Sequence, residues 1–212
     1  MKRRFLSHLA LCIAAVATLG AAPLVHAQDE APDALVKRLS SDVLDTIKAD
    51  KSYQTGDVSK IVSLVDSKIM PNVNFQRMTA SAVGPGWRQA TPEQQKRLQE
   101  EFKTLLLRTY SGALAQVSDQ SITVKPLRAA AGDTEVIVRT EIRGRGEPIQ
   151  LDYRLEKTAG QGAGWKIFNL NVLGVWLVET YRSQFAQEIN AKGIDGLITA
   201  LAERNKSNAK KV

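Results

Sequence analysis

The spacing of apolar side chains changes along this chain from a helical period to a strand period. The segment after residue 90 opens with a capping box, in which Thr91 and Gln94 flank Pro92. The side chains that then follow one helical face are Leu98, Phe102, Leu105, Leu106, Thr109, Tyr110, Ala113 and Val117. Over residues 149–156, in contrast, apolar and polar residues alternate, which is typical of a strand with one buried face. The two periods in separate segments predict an α+β fold.

The other segments extend both patterns. Three helices are predicted before Thr91, at 32–50, 57–70 (ended by Pro71) and 74–84. The predicted strands are one at 121–127, two in a hairpin at 133–157 that turns at 143–148, and one at 165–172. Two helices are predicted to close the chain, from Val175 to about Lys192 and from Ile194 to about Asn205. This order predicts a twisted antiparallel four-stranded sheet with helices packed on one face, in a single domain.

The first 27 residues have the pattern of a secretory signal peptide. Three cations at positions 2–4 precede a short apolar run, and the small residue Ala27 ends a cleavage motif. Pro23 interrupts the run, which disfavours a membrane anchor. Cleavage leaves residues 28–212 as one domain, expected to be ordered over about 33–205 with a frayed C-terminal tail. Loss of the three leader cations lowers the formal net charge from +7 to +4. So diffuse a charge does not favour nucleic acid as a partner, although it is compatible with weak attraction to anionic membranes.

The distribution of histidine and cysteine excludes many mechanisms. His8, Cys12 and His26 are the only such residues, and all three lie in the expected leader. The mature chain therefore has no disulfide, no Cys/His zinc site, no catalytic histidine and no cysteine nucleophile. We expect no catalytic residue and no metal site.

The stretch at 164–190 carries an unusual amount of apolar surface. A predicted strand runs through Gly174 into a helix that opens with Val175, Trp176, Leu177 and Val178. Four successive large apolar residues point in every direction around the first turn, so that turn must be surrounded. The pattern is compatible with a filled core or with a cavity held open for a ligand, because both use the same residue types.

Two long motifs resemble the MlaC family of periplasmic phospholipid-binding proteins, also known as toluene-tolerance auxiliary proteins. One is "GWKIFNLNVLGVWLVETYRSQF" at 164–185, and the other is "IMPNVNFQRMTASAVGPGWRQATPEQQKRLQEEFKTLLLRTYSGAL" at 69–114, which departs from the family pattern at Pro85. The resemblance covers about 33–205. It implies helices that close over a hydrophobic pocket beside a twisted antiparallel sheet, and a periplasmic location. It also implies phospholipid as cargo, with no cofactor, carried between an outer-membrane lipoprotein–porin complex and an inner-membrane ABC transporter. We expect a monomer.

The pocket implied by the resemblance is expected between the dry face of the sheet and the inner faces of two helices. The candidate lipid-binding residues are Phe75, Met78, Phe102, Leu106, Tyr110, Leu114, Leu151, Tyr153, Phe168, Leu170, Val175, Val178, Tyr181 and Phe185. Each of them could equally belong to a filled core.

Two other classes of protein remain to be weighed. An enzyme would need an inward carboxylate, and the strands offer Glu135, Glu141, Asp152 and Glu156. Asp152 alternates onto the polar face and is expected to meet solvent, and no histidine can assist it. A periplasmic adaptor with a filled core and no lipid would share most features of a carrier. The two differ in whether the interior holds lipid.

Overall fold

The computed structural model describes residues 30–55, 57–117, 119–144, 146–158 and 160–209. The signal peptide expected at 1–27 lies outside these residues. Four helices come first: α1 (Pro32–Ala49), α2 (Val58–Leu64), α3 (Phe75–Val83) and α4 (Pro92–Ala115). Five strands follow, and α5 (Leu177–Ala209) comes last. Within the described ranges, no helix is both long and apolar enough to span a membrane.

The helix starts form where the sequence places capping side chains. Asp57 accepts a hydrogen bond from Ser59 N, and Asn74 accepts one from Arg77 N, so each satisfies a backbone donor of a first turn. The predicted capping box of α4 is present in both directions between Thr91 and Gln94. After α2 the chain continues in a π turn, Val65–Ile69, and a 3-10 turn, Met70–Asn72. Helical winding therefore continues through Pro71 rather than ending before it.

The sheet is antiparallel with the order β1-β2-β3-β4-β5. Its strands are β1 (Ser121–Val124), β2 (Glu135–Arg143), β3 (Ile149–Lys157), β4 (Trp165–Val172) and β5 (Val175–Trp176). The prediction of an α+β fold is confirmed, but the prediction of four strands is wrong.

The fifth strand results from a tight turn at Leu173 and Gly174. Both have positive φ, +51° and +87°, as in the two-residue turns that join antiparallel strands. The chain therefore folds back, and Val175 pairs with Val172 in the ladder. This is why α5 begins at Leu177 and not at Val175 as predicted. An apolar run of this kind suits a strand as well as a buried helical turn.

The last helix contains a break at Gly193, whose φ of 70° and ψ of −172° are not helical. The two closing helices predicted from the sequence thus meet at this residue without a loop between them. The second continues to Ala209.

Two apolar clusters form the interior. The helical cluster joins α3, α4 and α5, with fully buried side chains such as Phe102, Tyr181 and Leu197. The sheet cluster joins α1 to the apolar face of the sheet, with Leu35 and Val138 among its members. Val73 and Leu170 are half-buried and pack against both clusters. The boundary between the two clusters is therefore the place where a ligand could reach the interior.

Candidate functional site

Helix α4 changes character along its length. Its first half buries Leu98, Phe102 and Leu105 completely in the helical cluster. Leu106 and Tyr110 are half-buried against the helical cluster. Further along, Leu114 and Val117 are half-buried against the sheet cluster. Leu106, Tyr110 and Leu114 are four residues apart and share one helical face, and Val117 follows just beyond the end of α4. The second half of α4 therefore presents an apolar row that is only partly covered.

The apolar face of the sheet carries a matching row. Leu151, Leu170 and Val172 are half-buried, and the register places Leu151 opposite Val172. Leu170 and Val172 pack against the helical cluster, whereas Leu151 packs against the sheet cluster. The sheet row and the α4 row thus border the same two clusters.

The described part of α4 makes at most slight backbone contact with the strands, in contrast to three other helices. Helix α1 lies on β1 and β2, and α3 and α5 both lie on β4. Helix α4 packs instead on α5, α3 and α2. From these two incompletely covered apolar rows, which border the same two clusters, we infer a cleft between α4 and the sheet. We call it the apolar cleft, with walls formed by Leu106, Tyr110, Leu114, Val117, Leu151, Leu170 and Val172.

The candidate residues separate into three groups by burial. The half-buried candidates are Phe75, Leu106, Tyr110, Leu114, Leu151 and Leu170. The buried candidates are Met78, Phe102, Tyr153, Phe168, Val178, Tyr181 and Phe185. Val175 is 52% exposed and lies on β5. The half-buried group either lines the apolar cleft or, in the case of Phe75, adjoins the aromatic cluster described next.

Four aromatic rings close the cleft on the side of the helical cluster. Phe102 contacts Tyr181 and Phe185 edge to face, with ring centroids 5.0 and 5.2 Å apart, and Phe75 at 5.8 Å. Met78 and Val178 belong to the same cluster. These side chains pack closely against one another as core residues do, so they form the buried support of the cleft walls.

Phe168 is the candidate that the structure separates from the others. The β3–β4 register shifts between Arg154 and Leu155, which leaves Phe168 as the extra residue of a bulge. The Arg77 guanidinium lies 3.6 Å from the centre of its ring and forms salt bridges with Glu135 and Glu156. Phe168 therefore belongs to a contact between α3 and the polar face of the sheet.

The polar face also fixes the start of α5. Asn169 is buried, its side-chain oxygen accepts a hydrogen bond from Val178 N at 3.1 Å, and its amide donates to Glu179 at 2.8 Å. Arg154 pairs with Glu179 and lies 4.0 Å from the centre of the Trp176 ring. These contacts attach the start of α5 and β5 to β3 and β4.

The expectation that Asp152 meets solvent is wrong. Asp152 is only 4% exposed, and its carboxylate accepts hydrogen bonds from Thr140 N and from the Gln150 side-chain amide. It is buried because Asn171 lies opposite it, and β5 places Trp176 beside Asn171 on the same face. Alternation puts Asp152 on the sheet face opposite to Leu151, away from the cleft.

The ionisable groups at the cleft are phenols that stay neutral at ordinary pH. Burial raises the pKa of Tyr110 in the wall and of Tyr181 behind it. Burial also raises the pKa of Tyr153, whose hydroxyl lies 3.5 Å from the Ser40 hydroxyl. Across the described residues, no group of three or more His, Cys, Asp or Glu could hold a metal ion. The aliphatic and aromatic side chains gathered here are suited to contact an apolar molecule.

Sequence reasoning missed Val117 and Val172 as wall residues of the cleft, and Val73 as a residue at the boundary between the two clusters. Val117 was visible as the last member of the predicted helical face, and Val172 as a member of the alternating strand. Val73 carried no such signal. It reaches the cluster boundary through an isolated parallel bridge to Ile167 on the outer edge of β4.

The fold and site are those of a small binding protein for apolar ligands: the antiparallel sheet is open, helices lie on its apolar face, and the cleft between them is uncharged. The family described as "MlaC protein" matches residues 37–203, and the chain belongs to this family. The resemblance noted from the sequence is therefore confirmed.

Two characterised relatives and one solved structure are similar over most of the chain. Toluene tolerance protein ttg2D of Pseudomonas putida is 29% identical, covering 84% of this chain and 81% of the relative. The intermembrane phospholipid transport system binding protein MlaC of Haemophilus influenzae is 23% identical, covering 82% of each.

The solved structure is a phospholipid-binding protein from Ralstonia solanacearum in complex with a phospholipid. It is 49% identical with a TM-score of 0.80, covering 84% of this chain and 98% of that chain. The proteins of this family are binding and transport proteins, which confirms that the chain is not an enzyme.

Proposed function

We propose that this protein carries a phospholipid, with its acyl chains in the apolar cleft between α4 and the sheet. The observation that carries the proposal is the pair of half-buried apolar rows, on α4 and on β3–β4, with at most slight backbone contact between the helix and the strands. Membership of the MlaC family and the similarity to a structure that contains a phospholipid support the identity of the cargo.

The chemistry of the cleft matches the requirement of a diacyl lipid. Each methylene exposed to water costs about 0.8 kcal/mol, so a carrier must supply a dry surface along the length of the tails. The cleft walls are aliphatic and aromatic, and burial raises the pKa of Tyr110, which keeps this phenol uncharged. A head group at the open end can remain in water, so the carrier needs no deep polar site.

The route of transport is the finer part of the proposal. The protein acts in the periplasm as a monomer, after cleavage behind Ala27, with residues 28–212 as one lipid-binding domain. It moves phospholipid between an outer-membrane lipoprotein–porin complex and an inner-membrane ABC transporter, and so maintains outer-membrane lipid asymmetry. The name of the Haemophilus relative, an intermembrane phospholipid transport system binding protein, supports this route.

Native mass spectrometry tests the binding step. The mature protein would be purified from a bacterial periplasm, and its mass compared before and after denaturation, followed by organic extraction and identification of the lipid. A stoichiometric phospholipid is the expected result. A bare chain mass after gentle purification would contradict the proposal and support an adaptor with a filled core.

A further inference from the structure

The exposed large apolar side chains of the described residues gather at one corner of the sheet. They are Ile149, Leu173 and Val175, which are 42%, 65% and 52% exposed. Leu173 N donates a hydrogen bond to Gln150 O at 3.0 Å, which attaches the turn of β5 to the strand that carries Ile149. We call these three residues the apolar corner.

The apolar corner adjoins the sheet wall of the apolar cleft. Val175 pairs with Val172, and Val172 lies opposite Leu151, so two wall residues of the cleft separate the corner from the interior. Burial decreases steadily along this line, from buried Tyr153 through half-buried Leu151 to exposed Ile149. The corner is therefore continuous with the apolar face on which the proposed cargo would lie.

The backbone of Leu173 indicates that the exposed side chain has a use. Its φ of +51° lies in the left-handed region, where Asn or Gly would be relaxed and a leucine is strained. The side chain is mostly exposed, so core packing does not offset the strain. Strain retained at a solvent-exposed apolar residue points to a functional contact.

The surroundings of the corner favour a fluid apolar partner. Residues 148–151 and 167–178, which build it, contain no Asp, Glu, Lys or Arg. A single leucine at the tip of a turn is convex, and a protein partner would need a matching pocket, whereas hydrocarbon adapts to any shape. Three side chains are also few for a stable protein interface, which buries about 800 Å² per partner.

We propose that the apolar corner inserts into the interfacial region of a phospholipid bilayer and brings the sheet wall of the cleft against the lipid. This inference rests on the proposed function as a lipid carrier. It adds a contact with the bilayer itself, through apolar insertion rather than through charge.

Flotation with lipid vesicles tests the contact. The mature protein, residues 28–212 with its cargo, would be mixed with vesicles of phosphatidylethanolamine and phosphatidylglycerol at low and at high salt. The protein is expected to float with the vesicles at both salt concentrations, because the contact is apolar. Leu173→Asn should lower the partition about tenfold while relaxing the turn, since Asn tolerates positive φ. Val175→Thr, which keeps a β-branched side chain on β5, should also lower it.

Val62→Thr is the matched control, because it makes the same replacement of a methyl group by a hydroxyl at a half-buried valine on α2. It should leave flotation unchanged. The inference would be overturned by no flotation of the parent protein, by flotation that high salt abolishes, or by equal flotation of Leu173→Asn. Binding to membranes only when they contain a partner protein would overturn it as well. Lipid extracted from the same samples separates the two proposals, because cargo without flotation contradicts the bilayer contact alone, whereas an empty protein contradicts the carrier function.

Discussion

Leu106 is the residue at which a change in the cleft can be separated from a change in the core. It is half-buried on α4, one residue beyond the fully buried Leu105. Leu106→Trp should fill part of the cleft and lower the amount of co-purifying phospholipid about tenfold. The free energy of unfolding should change by less than about 1.5 kcal/mol, because the indole occupies space that packing leaves open. Lipid extraction and urea denaturation measure the two quantities.

Leu107→Trp is the matched control on the same helix. Leu107 is half-buried and is not a member of either apolar cluster as the structure describes them. The Leu107→Trp variant should keep its bound phospholipid. Equal lipid loss in both variants, or none in Leu106→Trp, would place the cargo elsewhere.

Two glycines of the long helices show how position within an element decides the effect of the same substitution. Gly193 has a φ of 70° and a ψ of −172°, a region that side chains with a Cβ rarely enter. Gly193→Ala should therefore lower the free energy of unfolding by about 1–3 kcal/mol. Gly112 lies within α4, is exposed and has open space where a Cβ would lie. Gly112→Ala should raise the free energy of unfolding by about 0.5–1 kcal/mol.

Urea denaturation of both variants checks this pair of predictions. Effects of the same sign would mean that the break at Gly193 is not a fixed feature of the fold. A loss of lipid in Gly193→Ala alone would show in addition that the second part of α5 supports the cleft.

The elements that the sequence predicts well are those with local causes. The capping box at Thr91 and the cap at Asn74 depend on residues within a few positions, so α3 and α4 begin where predicted. The strand β5 was missed because an apolar run such as Val175–Val178 fits a helix or a strand equally well. The burial of Asp152 was missed for the same reason, since its cover includes the face that β5 extends.

The candidate site depends on contacts that no local pattern encodes. The helical spacing that includes Leu106 and Tyr110 does not say where α4 leaves the helical cluster and lies apart from the sheet. The bulge that turns Phe168 toward Arg77 likewise requires the register of two strands. The sequence therefore predicts which residues are apolar and on which face, whereas the distance between the faces belongs to the tertiary structure.

At the scale of the whole molecule, two buried phenols and one half-buried phenol predict how stability depends on alkaline pH. Burial raises the pKa of Tyr110, Tyr153 and Tyr181 above the ordinary value of 10.0. Above about pH 10 the unfolded chain loses these protons while the native state keeps them, so the free energy of unfolding falls as the pH rises. Below about pH 10 these three phenols are protonated in both states, so they do not change how the free energy of unfolding depends on pH.

Tyr153→Phe removes one of the three phenols and keeps the ring. Its free energy of unfolding, measured by urea denaturation at a series of alkaline pH values, should fall less steeply than that of the parent protein. An identical slope in the two proteins would show that Tyr153 is not a source of the alkaline loss.

The central claim is that acyl chains lie between α4 and the apolar face of the sheet. It is tested most directly by photocrosslinking, with Tyr110 or Phe168 replaced in turn by benzoylphenylalanine in the periplasmic protein. Both residues are aromatic, but Tyr110 lies in the cleft wall and Phe168 lies against Arg77 on the polar face. After irradiation, mass spectrometry should find a phospholipid adduct at position 110 and none at position 168. An adduct at 168 with none at 110 would contradict this location of the cargo.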